Sequence, residues 1–278
     1  MIPASFDYLR AGSVEEAVTA LAGHGEDAKV LAGGHSLLPL MKLRLATPSL
    51  LVDVARLHEL SYIRTGGGQL AIGALTRHGE LQRSGVVRQH APILSQAASL
   101  VGDPQVRHRG TIGGSVSHGD PASDLPAALL ALGATFVVQG SAGTREISAD
   151  DFFLGFLETD LHPDEMLTEI RVPAQGSAGW SFQKFTRRAQ DWAIVGCAVV
   201  RGDTDRVALV NMGPTVLRAR AVEDALAAGA SSGDAARLAP EGTSPPSDLG
   251  AAADYRAHLA RVLVGRALDE ASAARSTR

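Results

Sequence analysis

Two glycine pairs constrain the fold of this chain more than any other feature of its sequence. The first lies in AGGHS at residues 32–36, directly after an apolar run, and the second lies in RGTIGGS at residues 109–115. Glycine permits a sharp turn and a close approach of the backbone to a ligand, and unpaired amides in such turns bind anions. Two such turns can clamp one pyrophosphate from opposite sides. Either turn taken alone is more simply explained as a plain structural turn.

Several common nucleotide-binding and hydrolase motifs are absent from the sequence. There is no G-x-x-x-x-G-K-[ST], and no G-x-G-x-x-G lies between a first strand and a helix. These absences argue against a P-loop ATPase and against a Rossmann dinucleotide fold. Ser36 lacks the second glycine of a nucleophile elbow, and none of the nine histidines forms an H-E-x-x-H pair. We therefore predict no metal ligands on this chain.

Cysteine count and charge exclude further classes of protein. The single cysteine among 278 residues, Cys197, permits neither an internal disulfide nor a four-cysteine metal site, and a small buried hydrophobe is its expected role. A formal net charge of −4 leaves no basic excess for nucleic-acid binding. The sequence contains no stretch of roughly 20 apolar residues that would span a membrane, and it does not open like a secretory signal. We predict a cytoplasmic protein without a transmembrane segment.

Apolar periodicity and turn residues divide the chain into three regions of mixed helix and strand. The first, residues 1–56, is predicted to be a βαβ-like unit with strands at 28–32 and 50–54 and helices after Ser13 and at 36–43. The second, residues 57–176, is predicted to contain a hairpin around residues 65–68, helices near 76–83, 88–99 and 125–132, and strands at 134–139, 144–147 and 167–172. The third, residues 177–278, is predicted to contain a strand meander at 179–187, 193–201 and 206–212, helices at 218–228 and 251–273, and a surface loop at 229–250.

Several polar or aromatic residues near the glycine segments have two interpretations each. Asp124 either caps the helix that follows it or binds a polar group of a ligand. Trp192, beside Asp191, either stacks on a planar ring or belongs to the core. The basic run that contains Lys184 is most simply a solvated strand edge, and His35 and His118 are more simply turn residues than catalysts.

These motifs resemble those of a known family. AGGHSL at residues 32–37 resembles the first flavin motif of the FAD-binding medium subunits of molybdenum hydroxylases, and TIGGS at 111–115 is similar to their second. The flanking segments GDPQVRHRG at 102–110 and DPASD at 120–124 also match, as does EMLTEIRVP at 165–173. The likeness covers nearly the whole chain and is strongest to the family of the carbon monoxide dehydrogenase medium chain and the xanthine dehydrogenase FAD-binding subunit.

The resemblance implies an α+β fold of the vanillyl-alcohol-oxidase or PCMH type. Two FAD-binding subdomains would be followed by a small C-terminal α+β domain with an antiparallel sheet. It also implies non-covalent FAD and no catalytic residue on this chain, because the flavin carries the redox chemistry. The implied FAD-binding residues are Lys29, Val30, Leu31, Ala32, Gly33, Gly34, His35, Ser36, Leu37, Gly102, Thr111, Gly114, Ser115, Ser117, Asp124, Met166, Leu167, Lys184 and Trp192.

The resemblance further implies a place in a heteromeric enzyme. A small subunit with two [2Fe-2S] clusters would pass electrons to the FAD, and a large molybdopterin-binding subunit would oxidise the substrate. The flavin would pass the electrons to a quinone, NAD or oxygen, and the assembly would be a dimer of heterotrimers that could associate with a membrane through the complex. Two departures from the family pattern are Ser115, where many relatives have Asn, and Trp192, where many have Tyr. The alternatives are a self-contained FAD oxidoreductase and a non-catalytic FAD-binding scaffold.

Overall fold

The first region of the chain forms a small parallel sheet covered by helices. The computed structural model describes residues 2–276, with side chains through residue 274. The strands pair in the order β1-β3-β2. The elements are β1 (Asp7–Arg10), α1 (Val14–His24), β2 (Ala28–Leu31), α2 (Leu37–Lys42) and β3 (Leu50–Asp53). The sequence did not predict β1, because this short edge strand is mostly exposed and carries little apolar signal.

The second region is built on a five-stranded antiparallel sheet with helices packed on it. The strand order is β4-β5-β10-β6-β7. These strands are β4 (Ile63–Gly66), β5 (Gln69–Gly73), β6 (Thr135–Gly140), β7 (Gly143–Ser148) and β10 (Met166–Pro173). The helices are α3 (His78–Arg83), α4 (Gly85–His90), α5 (Pro92–Ser99), α6 (Pro104–Arg109), α7 (Ile112–His118), α8 (Asp124–Leu132) and α9 (Ala149–Phe152). A separate hairpin consists of β8 (Phe153–Gly155) and β9 (Glu158–Thr159).

The third region has an antiparallel sheet with the order β11-β12-β13-β14, as the predicted meander requires. Its elements are β11 (Gly179–Phe185), β12 (Val195–Arg201), β13 (Arg206–Val210), β14 (Leu217–Arg218), α10 (Arg220–Ala227), α11 (Ser232–Ala236) and α12 (Ala253–Ser276). One face of this sheet shares a core with α12, and the other packs against α8 of the second region. The described part of the chain has the predicted α+β class.

Three segments contain helices that the sequence did not predict, the shortest being α9. Within the glycine- and polar-rich stretch from 102 to 124, Asp103 Oδ1 accepts a 2.8 Å hydrogen bond from the amide of Val106 and caps α6. Thr111 Oγ1 accepts a 3.1 Å bond from the amide of Gly114 and caps α7. The predicted surface loop at 229–250 similarly contains α11. Side-chain caps and tertiary contacts therefore outweigh the low helix propensity of the glycine-rich stretch.

Among residues 2–276, no helix is both long enough and apolar enough to cross a membrane.

Candidate functional site

A cleft of about 910 Å³ runs between the three regions of the chain. Its walls come from the end of β2 and the start of α2, from α7 and β10, and from the end of β11 with the loop that follows it. The structure places every residue of the predicted FAD-binding set on the lining of this one cleft. Segments as distant in sequence as Lys29 and Trp192 are therefore brought to a common site.

The first glycine segment presents a row of free backbone donors to the cleft. The amides of residues 33–37 form no hydrogen bond within the described part of the chain. Gly34 adopts φ +77°, a left-handed conformation that glycine tolerates and that turns the chain from β2 into α2. Consecutive amides in such a turn form a concave site for an anion. This segment is suited to hold the pyrophosphate of a dinucleotide.

Gly33 is required by contact with the second glycine segment. A Cβ atom on Gly33 would lie 2.5 Å from the carbonyl oxygen of Arg109 and 3.1 Å from the Cα of Gly110. Arg77 donates a side-chain hydrogen bond to the same Arg109 carbonyl. The backbones of the two segments thus touch at one edge of the cleft, and no larger residue fits between them.

The second glycine segment contributes hydroxyl groups rather than amides. The amides of Ile112 and Gly113 donate to the carbonyls of Thr76 and Ala74 at 3.0 and 2.9 Å, and the amide of Gly114 is used by the Thr111 cap. The expectation that free amides of both turns face the ligand is therefore wrong for this segment. What it offers to the cleft is the exposed surface of Gly114 and the hydroxyl of Ser115.

His78 is a cleft residue that the sequence analysis missed. The residue is 3% exposed, and Nε2 lies 2.9 Å from the carbonyl oxygen of Thr111 and 3.0 Å from Ser115 Oγ. Its amide donates to the Gly110 carbonyl at 3.0 Å. Burial lowers the pKa of His78 to about 4, so the ring is neutral at pH 7. The one sequence signal for it is its spacing of three residues from Leu81, which places both on the buried face of α3.

Asp124 and Lys184 form a buried ion pair at the other side of the cleft. Lys184 Nζ donates to Asp124 Oδ2 at 2.6 Å and to the carbonyl oxygen of Leu100 at 3.0 Å. The two side chains are 5% and 6% exposed, and Asp124 Oδ1 has no partner within the described residues. Strand alternation places Lys184 on the same face as the buried Phe182, which packs into the core of the second region.

This pair corrects two interpretations. Ser123 occupies the N-cap position of α8 and Asp124 is its first residue, so the helix-cap interpretation of Asp124 is wrong. The interpretation of Lys184 as a solvated edge is also wrong, although the side chain of Arg188, four residues later, is 81% exposed as expected. The unpaired Oδ1 of Asp124 leaves one acceptor that a ligand donor could satisfy.

The Asp124 carboxyl should make stability depend on pH. Burial raises its pKa to about 6 in the fold, against an ordinary value of 3.8, and this effect exceeds the opposing attraction of Lys184. An acid with a raised folded-state pKa contributes stability that is present below pH 4 and is lost as the pH rises toward 6. The unfolding free energy of the parent chain minus that of Asp124→Asn should therefore fall between pH 4 and 6. Urea denaturation at stepped pH measures this difference; a rise over that interval would show that Lys184 dominates.

The two ends of the cleft differ in character. At one end, Met166 and Leu167 of β10 are buried in the wall, and the β8–β9 hairpin adds residues 157–159, which the sequence did not predict. At the other end, Trp192 is 61% exposed, so the core interpretation of Trp192 is wrong. Cys197 faces the core of the third region, where burial raises its pKa to about 12. It does not line the cleft.

The fold and the cleft are those of a chain that can bind a dinucleotide, and comparison with known proteins identifies the family. Residues 4–175 match the family described as "FAD binding domain in molybdopterin dehydrogenase". Residues 180–271 match the "CO dehydrogenase flavoprotein C-terminal domain". The chain belongs to the FAD-binding flavoprotein family of the molybdopterin dehydrogenases. The predicted family, fold class and FAD cofactor are thereby confirmed, and the chain is of the oxidoreductase class.

Individual relatives cover nearly the whole chain. It is 46% identical to the carbon monoxide dehydrogenase medium chain of Hydrogenophaga pseudoflava, over 98% of each chain. It is 40% identical to the 6-hydroxypseudooxynicotine dehydrogenase complex subunit alpha of Paenarthrobacter nicotinovorans, over 98% of this chain and 96% of that one. A solved structure of carbon monoxide dehydrogenase from H. pseudoflava superposes with a TM-score of 0.95 at 47% identity, covering 99% of both chains.

Proposed function

We propose that this chain is the electron-transfer subunit of a heteromeric molybdenum hydroxylase. It receives electrons from the [2Fe-2S] clusters of a small subunit and delivers them to an external acceptor such as a quinone, NAD or oxygen. A large subunit binds the molybdopterin and oxidises the substrate, and the full assembly is a dimer of heterotrimers. Relatives that share 46% and 40% identity carry the names of a medium chain and of a complex subunit, which supports the heteromeric role. The cytoplasmic location remains a prediction from the sequence.

The observation that carries this proposal is the cleft itself. It combines five free amides at residues 33–37, the Ser115 hydroxyl and the buried Asp124–Lys184 pair in one continuous surface. Amides and hydroxyls donate to an anionic pyrophosphate, and at the far end of the cleft the Lys184 ammonium, paired with Asp124, lies beside the part that we assign to the isoalloxazine ring. FAD, when bound, supplies the redox chemistry, and the chain supplies binding and orientation.

The predicted FAD-binding residues divide this cleft between them. We assign the pyrophosphate to residues 29–37 together with Thr111, Gly114 and Ser115. The adenine side is assigned to Met166 and Leu167, and the isoalloxazine side to Lys184 and Trp192. Attachment is non-covalent in this proposal, since the sole cysteine is buried in another core.

The domain boundaries are part of the same proposal. Residues 1–56, 57–176 and 177–278 form the first FAD-binding subdomain, the second and the C-terminal domain. All strands of each of the three main sheets lie within one of these ranges, which supports the division. Residues 277–278 at the end of the third range lie outside the described residues.

We place the electron entry point at the exposed end of the cleft, near Trp192 and the two arginines Arg187 and Arg188. Reversing the charge of either arginine to Glu should slow reduction of the flavin by the cluster subunit about tenfold at low salt, with FAD content unchanged. The defect should shrink as salt is added, because screening removes the electrostatic part of docking from the parent complex as well. Stopped-flow flavin absorbance in the reassembled complex measures the rate.

A matched control is available for this test. Arg237 is 78% exposed and pairs with Asp234 at i−3, much as Arg188 pairs with Asp191, but it caps the end of α11 and does not line the cleft. Arg237→Glu should leave the rate unchanged. Equal rates of flavin reduction in all three variants would contradict an electron entry point near Arg187 and Arg188. Turnover of an organic substrate by this chain alone would favour the self-contained oxidoreductase, and a bound flavin that exchanges no electrons with the clusters would favour the scaffold.

A further inference from the structure

His78 contacts Ser115, a residue that we assign to the pyrophosphate site, and the inference drawn from this contact rests on that assignment. Nε2 of His78 lies within hydrogen-bond distance of two oxygens, the Thr111 carbonyl at 2.9 Å and Ser115 Oγ at 3.0 Å. Nδ1 of the same ring is buried and has no partner within the described residues. The ring is therefore held entirely through Nε2.

These contacts select one tautomer. A carbonyl oxygen only accepts, so the short contact with Thr111 requires the proton to be on Nε2. The opposite tautomer would place two lone pairs 2.9 Å apart and would bury an unsatisfied Nδ1–H donor, which is costly. With the proton on Nε2, the same N–H is shared by the Thr111 carbonyl and Ser115 Oγ. Ser115 Oγ then accepts from His78, and its own proton is free to point elsewhere.

We propose that His78 is a positioning residue that orients the Ser115 hydroxyl to donate its proton toward the cleft. Ser115 Oγ has no other hydrogen-bond partner among the described residues, and Ser115 lines the cleft. A hydroxyl that already accepts one bond keeps its proton free to donate and has one lone pair fewer to offer, and the accepted bond strengthens the one it donates. Such a group prefers an acceptor without hydrogens, such as a phosphate oxygen.

The charge state of His78 agrees with this role. Burial lowers the pKa of His78 to about 4, and the facing groups His35, Arg77 and Arg107 lower the pKa further, against the opposing effect of the Thr111 carbonyl. The ring therefore orients Ser115 as a neutral donor. It adds no charge of its own to the pyrophosphate site.

The test is a double-mutant cycle on the full-length chain stripped of FAD. His78→Gln keeps an N–H near the position of Nε2, whereas His78→Asn carries the same amide one methylene shorter and cannot reach Ser115. Both are combined with Ser115→Ala. Dissociation constants are measured for FAD, for ADP, which carries the pyrophosphate, and for riboflavin, which does not. Thermal unfolding of each variant without ligand is recorded alongside.

We expect Ser115→Ala and His78→Asn each to weaken FAD and ADP about tenfold or more, the range for a hydrogen bond to a charged group. Riboflavin should be unaffected, His78→Gln should stay within about threefold of the parent, and His78→Asn should add little in the Ser115→Ala background. Multiplicative effects, an equal loss in His78→Gln, or parent-like affinity in His78→Asn would overturn the positioning role. Unchanged affinity in Ser115→Ala would instead refute the proposed assignment of Ser115 to the pyrophosphate, and His78 with it.

Discussion

Gly33→Val should purify almost free of flavin, with FAD bound at least a hundredfold more weakly, a loss of about 2.7 kcal/mol. A Cβ atom at this position would lie 2.5 Å from the Arg109 carbonyl oxygen, and backbone cannot yield there as a flexible side chain would. The two glycine segments must separate, which displaces the free amides of residues 33–37 from the opposite wall of the cleft. Flavin absorbance per protein and an FAD titration measure the effect.

Gly66→Val provides the matched control for this substitution. Gly66 lies on β4, has no positive φ, and its Cβ would meet nothing within 4 Å. The Gly66→Val variant should retain FAD at the level of the parent chain. Overpacking at Gly33 is expected to cost about 1–3 kcal/mol of stability, so circular dichroism must show both variants folded. Normal flavin content in a folded Gly33→Val would contradict the contact between the two segments.

Lys184→Met should lower the unfolding free energy by about 3–5 kcal/mol at pH 7.5, because it leaves the Asp124 carboxylate buried without its partner. Removing Lys184 raises the folded-state pKa of Asp124 further above its ordinary value. In the variant the buried carboxyl is therefore protonated at low pH, and the variant loses stability as the pH rises and the carboxyl ionises. The penalty should therefore be small near pH 4. Urea denaturation at both pH values measures it, and flavin content should fall as well.

The double substitution Lys184→Met with Asp124→Asn separates charge from packing. It removes the buried charge and should restore at least half of the lost stability. Arg188→Met, which breaks the exposed pair with Asp191, should cost less than about 1 kcal/mol. A penalty that is independent of pH and is not relieved by Asp124→Asn would mean that Lys184 acts through packing alone.

The location of the cleft could be predicted from sequence because its two glycine segments carry local signals. Gly34 needs a left-handed turn after β2, and Thr111 caps α7 three residues before Gly114. Such features depend on neighbours within a few residues and can be predicted from the sequence. The meander of the third region could be predicted for the same reason, because its strands alternate with turn residues.

The parts that escaped prediction depend on contacts between distant residues. The sequence predicts Lys184 as an exposed cation, because its partner Asp124 lies 60 residues earlier in the chain. His78 gains its role only when Ser115 lies beside it. The amides of Ile112 and Gly113 are not distinguished from free amides by the sequence, but they donate to the carbonyls of Thr76 and Ala74 in the segment that follows β5. Local pattern predicts elements, whereas these pairings are fixed by tertiary structure.

Amide hydrogen exchange of the full-length chain with and without FAD tests the central claim most directly. The amides of residues 33–37 have no protein acceptor within the described residues and should exchange quickly in the FAD-free chain. If they hold the pyrophosphate, FAD and ADP should both slow the exchange of these residues, and riboflavin should not. Tight FAD binding that leaves the exchange of residues 33–37 unchanged would contradict the account.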